Sequence, residues 1–325
     1  MTKLQDALSA ASSAIINSCD QVKTSTIYHY TSTKGLLGIF ENDSPTLYFS
    51  QYDSLNDPNE RKDVFEVLHK YCAQQKENKK MSQELYERIT SIKPSDLFGF
   101  VFETNEQKNS NTEEYSSANT VFSLKEGYTY ICSFTRKRDF LPMWKMYTKT
   151  ENNEGFCIGF RTDEFAHKKY STEGFRLQLI EVVYDEKTKN DLIESVLSHI
   201  MEVYDSATQN DKESCIVIVK MMINEFQFMF KNKHFAYEEE IRAVLQVPKE
   251  QKRDITQITK RKHRDNNGLI VPYVEYSMKS SSVINITIAP TIKEEIAVSN
   301  LKDYLWSKNL SRIHIIPSDI PIRTI

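Results

Sequence analysis

No apolar run in this 325-residue chain approaches the length needed to cross a bilayer, so no contact with a membrane is expected. Cysteine is sparse and scattered. Cys19, Cys72, Cys132, Cys157 and Cys215 contain no C-x-x-C spacing, which argues against a zinc ribbon, and their odd number cannot close a complete disulfide framework. A reducing, cytoplasmic setting fits that pattern. Neither sign of charge is in excess: a formal net charge of −3 and a pI near 6.2 argue against a wholesale nucleic-acid-binding surface and leave room only for local basic patches. Internal repeats are absent as well.

What is present is an ordinary globular composition, with 39% apolar residues, enough for a sizeable core. The first twenty residues place Leu4, Leu8, Ala11, Ile15 and Ile16 among polar neighbours, an amphipathic helix rather than a secretory signal. Residues 1–22 are therefore expected as an N-terminal helix, packed on the main domain or pairing two copies in a homo-oligomer. Residues 23–325 read as one α+β domain of catalytic size, with a mixed β-sheet and peripheral helices. Strands are expected at Thr26–Thr31, Thr46–Ser50, Tyr128–Thr135, Gly155–Phe160, 176–184, 238–247, Val283–Ala289 and Arg312–Ile316. Residues 71–119, rich in Lys, Gln, Asn, Ser, Thr and Glu, predict a peripheral helical insertion ending in a loop. A pair of helices is expected over 187–231.

The chain is organised around Lys231–Leu245, where a helical period passes into a strand carrying three adjacent carboxylates and an arginine. In an extended strand Glu238, Glu240 and Arg242 share one face, opposite Glu239, Ile241, Ala243 and Leu245. Charges on a strand poised for burial must be compensated. Three explanations are open: Arg242 pairs with Glu238 or Glu240 as a structural ion pair, the carboxylates project into water, or a carboxylate is held in a cleft to meet a ribose, a metal or a developing cation. Elsewhere His29 lies on a strand with Thr31 on its face. The loop Ser50–Glu60 is crowded with turn formers, among them Asn56, Asp57 and Pro58. Arg136 and Arg138 require water or an anion. Met143, Trp144, Met146 and Tyr147 form a patch suited to a core or to a ligand platform, and Lys260–Arg264 is read as a solvated hairpin loop, with a phosphate or nucleic-acid contact as the alternative.

The ordered set Tyr28-His-Tyr-Thr31, Leu47-Tyr-Phe-Ser50, Leu55-Asn-Asp-Pro58 with Glu60, Cys132-Ser-Phe-Thr135, Met143-Trp144 with Tyr147, Gly155–Phe160 and Lys233 through Glu238-x-Glu240-x-Arg242 resembles a large bacterial family of uncharacterised domains. More distantly, the His-x-Thr-Ser strand, the Leu-Tyr-Phe-Ser segment and the late strand glutamate are similar to the His-Tyr-Glu arrangement of ADP-ribosyltransferases. That resemblance implies a split-sheet fold and an NAD-consuming enzyme, a transferase or a glycohydrolase. It also implies a setting as a toxin or phage-defence effector that modifies nucleic acid or protein. On this reading His29 holds the adenosine ribose of NAD, Tyr48 stacks on nicotinamide, and Glu240 or Glu238 is the catalytic glutamate. Tyr30, Thr31, Ser50, Asn56 and Trp144 belong to the NAD site, and Arg136 and Arg138 hold the pyrophosphate. The carboxylates also admit a magnesium-dependent nuclease or phosphodiesterase built on Asp57, Glu60, Glu238 and Glu240. A third reading is a noncatalytic nucleotide-binding sensor.

Overall fold

The computed structural model describes residues 2–19, 22–54, 60–97, 100–106, 120–148, 154–165, 175–249, 258–266, 268–292 and 294–321. Asn56, Asp57 and Pro58 of the polar loop, and residues 107–119 of the expected insertion, lie outside them.

Eleven strands are described: β1 (Thr26–Thr31), β2 (Thr46–Gln51), β3 (Phe100–Glu106), β4 (Thr120–Thr135), β5 (Phe156–Arg161), β6 (Arg176–Glu181), β7 (Glu240–Pro248), β8 (Lys262–Asn266), β9 (Leu269–Ser277), β10 (Val283–Ile288) and β11 (His314–Pro317). All pair antiparallel except β10 with β11, so the sheet is mixed. Helices pack on both of its faces, and the architecture is α+β.

The long β4 organises the sheet. One edge pairs with β7 from Gly127 to Thr135. Its other edge is shared: β2 pairs at Ser50↔Ile131 and Gln51↔Tyr130, whereas β1 pairs at Tyr28↔Thr135. Between those contacts β1 and β2 diverge, and the sheet splits over Cys132–Phe134. From the split, β5, β10 and β11 continue beyond β1, while β9 and β8 continue beyond β2.

Alternation along the strands assigns the two faces. Tyr130, Cys132, Phe134, Ile241, Ala243 and Leu245 join a core closed by helices α2 (Thr33–Ile39) and α8 (Glu294–Ser307). Ile131, Ile180 and Val244 face the opposite way, toward α1 (Lys3–Cys19), α3 (Glu60–Glu77), α4 (Gln83–Thr90), α6 (Glu186–Val203) and α7 (Gln209–Phe226). The apolar face of α1 is spent on this chain's own core through Ala7, Ala11 and Ile15, which leaves that face covered. No described helix is long and apolar enough to cross a membrane.

Residues 71–97 depart from the expectation of a peripheral insertion. Tyr71, Cys72, Met81, Leu85, Ile89, Ile92 and Leu97 are all buried in the helical core. The segment has few apolar residues, but helical spacing gathers Leu85 and Ile89 on one face of α4, and a polar average conceals such a stripe. The run 260–264 also differs from expectation, since Lys262–Asn266 is strand β8, paired with β9.

Phe134, at the end of β4, meets the rings of Phe165, His29 and Phe160 at centroid distances of 5.1, 5.7 and 5.9 Å. Replacing it with alanine removes the packing beneath the split. Phe134→Ala is expected to lower stability by about 3–5 kcal/mol, measured as a shift in the urea unfolding midpoint at unchanged slope.

Candidate functional site

The split opens a cleft of about 370 Å³ whose walls include Tyr28, His29 and Tyr30 from β1, Tyr48 and Ser50 from β2, and Ile131–Thr135 from β4. Met143 and Tyr147 come from α5 (Leu141–Tyr147), Arg264 from β8, and Lys231, Phe235, Glu238 and Glu240 from the segment leading into β7. His29, Tyr48, Glu238 and Glu240, far apart in sequence, thus line one cavity.

The two glutamates reach it from different backbone. The strand begins at Glu240; Lys233–Glu238 is a 3-10 helix capped by Glu239 in the left-handed conformation, at φ 42°. The expectation of one extended strand through Glu238 therefore fails, because a turn intervenes. The turn is bound to the end of β4. Thr135 Oγ1 donates to the Glu238 carbonyl at 2.6 Å, and the Arg136 amide donates to the Glu239 carbonyl at 3.3 Å.

Lys231 joins the carboxylates. Its Nζ donates to Glu238 Oε2 at 2.6 Å and to Glu240 Oε2 at 2.9 Å. Arg242 grips Glu240 with Nε on Oε1 and Nη2 on Oε2, both at 3.0 Å, and its Nη1 donates to the Phe228 carbonyl. Glu238 takes its second bond from the Tyr147 hydroxyl, at 2.7 Å. These four charged residues are buried and balance to zero. Burial alone would push the Glu240 carboxyl up, but the Arg242 guanidinium and the Lys231 ammonium overcome it and hold the carboxyl down at about 2. Burial also opposes the Lys231 charge, yet Glu240 and Glu238 drive its pKa upward.

His29 Nδ1 lies 3.0 Å from the Ser133 carbonyl, which accepts only if the proton is on Nδ1. Desolvation pushes the imidazole pKa down despite this bond, and the Arg264 charge adds to the effect. The neutral ring keeps Nε2 as an acceptor. Opposite it, Tyr48 packs on Tyr273 with centroids 4.7 Å apart and a tilt of 35°. Arg264 Cζ is 5.7 Å from each of those rings, and its Nη2 donates to Ser50 Oγ at 2.8 Å.

Several expected site residues are placed elsewhere. Arg136 pairs with Glu181, and Arg138 with Asp319; both are half-exposed, and the structure does not bring either into the lining of the cleft. Their carboxylate partners are distant in sequence and left no local trace. Trp144 is fully buried, with Nε1 donating to Asp139 Oδ1 at 2.7 Å, and is core rather than ligand platform. Thr31 ends β1 beside α2 and does not line the cleft. Conversely, Arg264, Lys231 and Tyr147 were not among the expected site residues. The strand alternation of 262 and 264 was the available signal for Arg264. The sequence marks Tyr147 only as part of the Met143–Tyr147 patch, and no local pattern in it announces Lys231.

The metal reading meets a physical obstacle. The Lys231 ammonium occupies the position between Glu238 and Glu240 that a shared cation would need, and no cluster of three or more metal-type ligands occurs among the described residues.

Residues 143–243, from α5 into β7, match the model of a family described as a protein of unknown function (DUF2971). No curated protein and no solved structure matches the chain.

Two outcomes follow from the ionic network. Glu240→Gln leaves the buried Arg242 undercompensated and is expected to cost about 3–5 kcal/mol of stability in chemical denaturation. The Glu240 carboxyl falls from 4.5 to about 2 on folding, so its stabilisation is complete above about pH 4.5 and is lost as pH drops toward 2. An acid unfolding series of wild type and Glu240→Gln should show that this part of the pH slope is missing from the variant.

Proposed function

We propose that the protein is an NAD-consuming enzyme of the ADP-ribosyl-transfer type, releasing nicotinamide and passing ADP-ribose to an acceptor or to water. The observation that carries this reading is the meeting of His29, Tyr48 and the Glu238–Glu240 pair in the one cleft where the sheet divides.

Of the two glutamates, Glu238 suits the reacting centre. Glu240 already receives three hydrogen bonds, two from Arg242 and one from Lys231, and serves to fix the ammonium. Glu238 receives one each from Tyr147 and Lys231, and its remaining lone pairs can accept a ribose 2′-hydroxyl. Tyr48, with its ring partly open to solvent, offers the nicotinamide a stacking face. His29 Nε2 can accept from the second ribose.

In the step itself the C1′–N bond breaks, and both its electrons return to the pyridinium nitrogen, leaving neutral nicotinamide. The positive charge passes to C1′ and the ring oxygen of the ribose. A carboxylate bound to the 2′-hydroxyl stabilises this oxocarbenium-like cation. An acceptor hydroxyl, amine or water then bonds to C1′ and gives up a proton, for which Glu238 is the nearest base of the cleft. Lys231 and Tyr147 hold Glu238 in place through both steps.

Purified protein is expected to release nicotinamide from NAD, alone or in the presence of nucleic acid or a cell extract. Glu238→Gln should lower the rate by roughly 100-fold or more while the protein remains folded. Tyr48→Ala should act mainly by raising KM. No release from folded wild-type protein under any of these conditions would remove the proposal.

A further inference from the structure

The cleft is electrically lopsided. At the β7 end two carboxylates, an ammonium and a guanidinium cancel. At the β8 end Arg264 stands without a counter-charge: its Nη2 donates to the neutral Ser50 hydroxyl, and no carboxylate among the described residues pairs with it. Its Nε is buried with no hydrogen-bond partner. A guanidinium left without an acidic partner at the wall of a cleft is a place where an anion can complete the charge balance. By contrast Lys262, two residues away on the same strand face, is paired with Glu275 at 2.8 Å.

The surroundings select the ligand. Arg264 lies beside the rings of Tyr48 and Tyr273, so an anion bound on its guanidinium would have an aromatic face next to it. A planar fork of donors beside an aromatic platform matches a phosphate group attached to a nucleoside. We infer that Arg264 is the anchor for the diphosphate of a nucleotide, with the Tyr48–Tyr273 pair as its aromatic wall. The diphosphate would then lie at the β8 end and the reacting ribose at the Glu238 end, with His29 between them. This assignment deepens the functional reading above, but it concerns binding and requires no turnover.

The test is a calorimetric titration of the folded full chain with ADP, inorganic pyrophosphate and adenosine, using wild type, Arg264→Gln, Arg264→Lys and, as a control outside the cleft, Arg136→Gln. ADP and pyrophosphate should bind wild type, and Arg264→Gln should weaken both by about tenfold or more. Arg264→Lys should recover part of the loss, since it restores charge without the planar fork. Any binding of adenosine should be indifferent to residue 264, and Arg136→Gln, which removes a cation outside the cleft, should keep its ADP affinity. Thermal unfolding of each unliganded variant separates a binding defect from a folding defect. ADP bound equally well by folded Arg264→Gln, or no binding of ADP or pyrophosphate to wild type at about 1 mM, would overturn the assignment. Binding of ADP through Arg264 with no nicotinamide release would leave it standing and remove only the enzymatic reading.

Discussion

The shared ammonium of Lys231 is the interaction on which the rest of the site depends. Its Nζ sits between a carboxylate on a 3-10 turn and a carboxylate on a strand, two groups that would otherwise repel one another in a space closed to water. The lysine is itself positioned by the chain beyond α7, where its amide donates to the Val183 carbonyl just past β6. One residue, through its amide and its side chain, thereby ties together the exit of a helix, the end of a strand and the start of another. Arg242 completes the balance from the interior side, and Tyr147 does so from α5. Neutrality makes the burial tolerable, and the geometry fixes where an incoming hydroxyl would find an unused lone pair.

The second constraint is topological. A strand as long as β4 can serve two neighbours on one edge, and where it passes from β2 to β1 the ladder is interrupted. Interruption leaves backbone and side chains facing an opening instead of a paired strand. His29 fills part of the space by bonding the Ser133 carbonyl, and Arg264 reaches Ser50 from the other lip. Toward the other end of β7, Arg176, Glu225 and Gln178 form another polar cluster between the sheet and α7. That cluster is held by protein groups on several sides, whereas the cleft is open on one.

The sequence made some of this plain. Alternation put Glu240 and Arg242 on one face of β7 and Ile241, Ala243 and Leu245 on the other, and a period-2 pattern is all that such an assignment needs. The strands carrying His29 and Tyr48, and the helices before the acidic segment, were legible for similar reasons. Pairings across long separations were not. Arg136 looked free because Glu181 lies on another strand, Arg138 because Asp319 belongs to the C-terminal segment, and Arg264 looked solvated because basic runs usually are. Trp144 could not be assigned to core or ligand until Asp139 was seen to take its indole proton. The turn at Glu239 escaped because an αL residue that is not glycine carries no compositional sign.

That turn also bears on how the chain can vary over evolutionary time. The separation of the two carboxylates is written in backbone, with one left-handed residue between a helical end and a strand start. Inserting or deleting a single residue there would reverse every side chain of β7 between its two faces, carrying Ile241 into the ionic cluster and Arg242 into the aromatic core. The spacing Glu-Glu-Glu-Ile-Arg is thus a fixed length as much as a set of residue types. Among sequences that share this architecture, gaps should be tolerated in the segments flanking the sheet and excluded between positions 238 and 242.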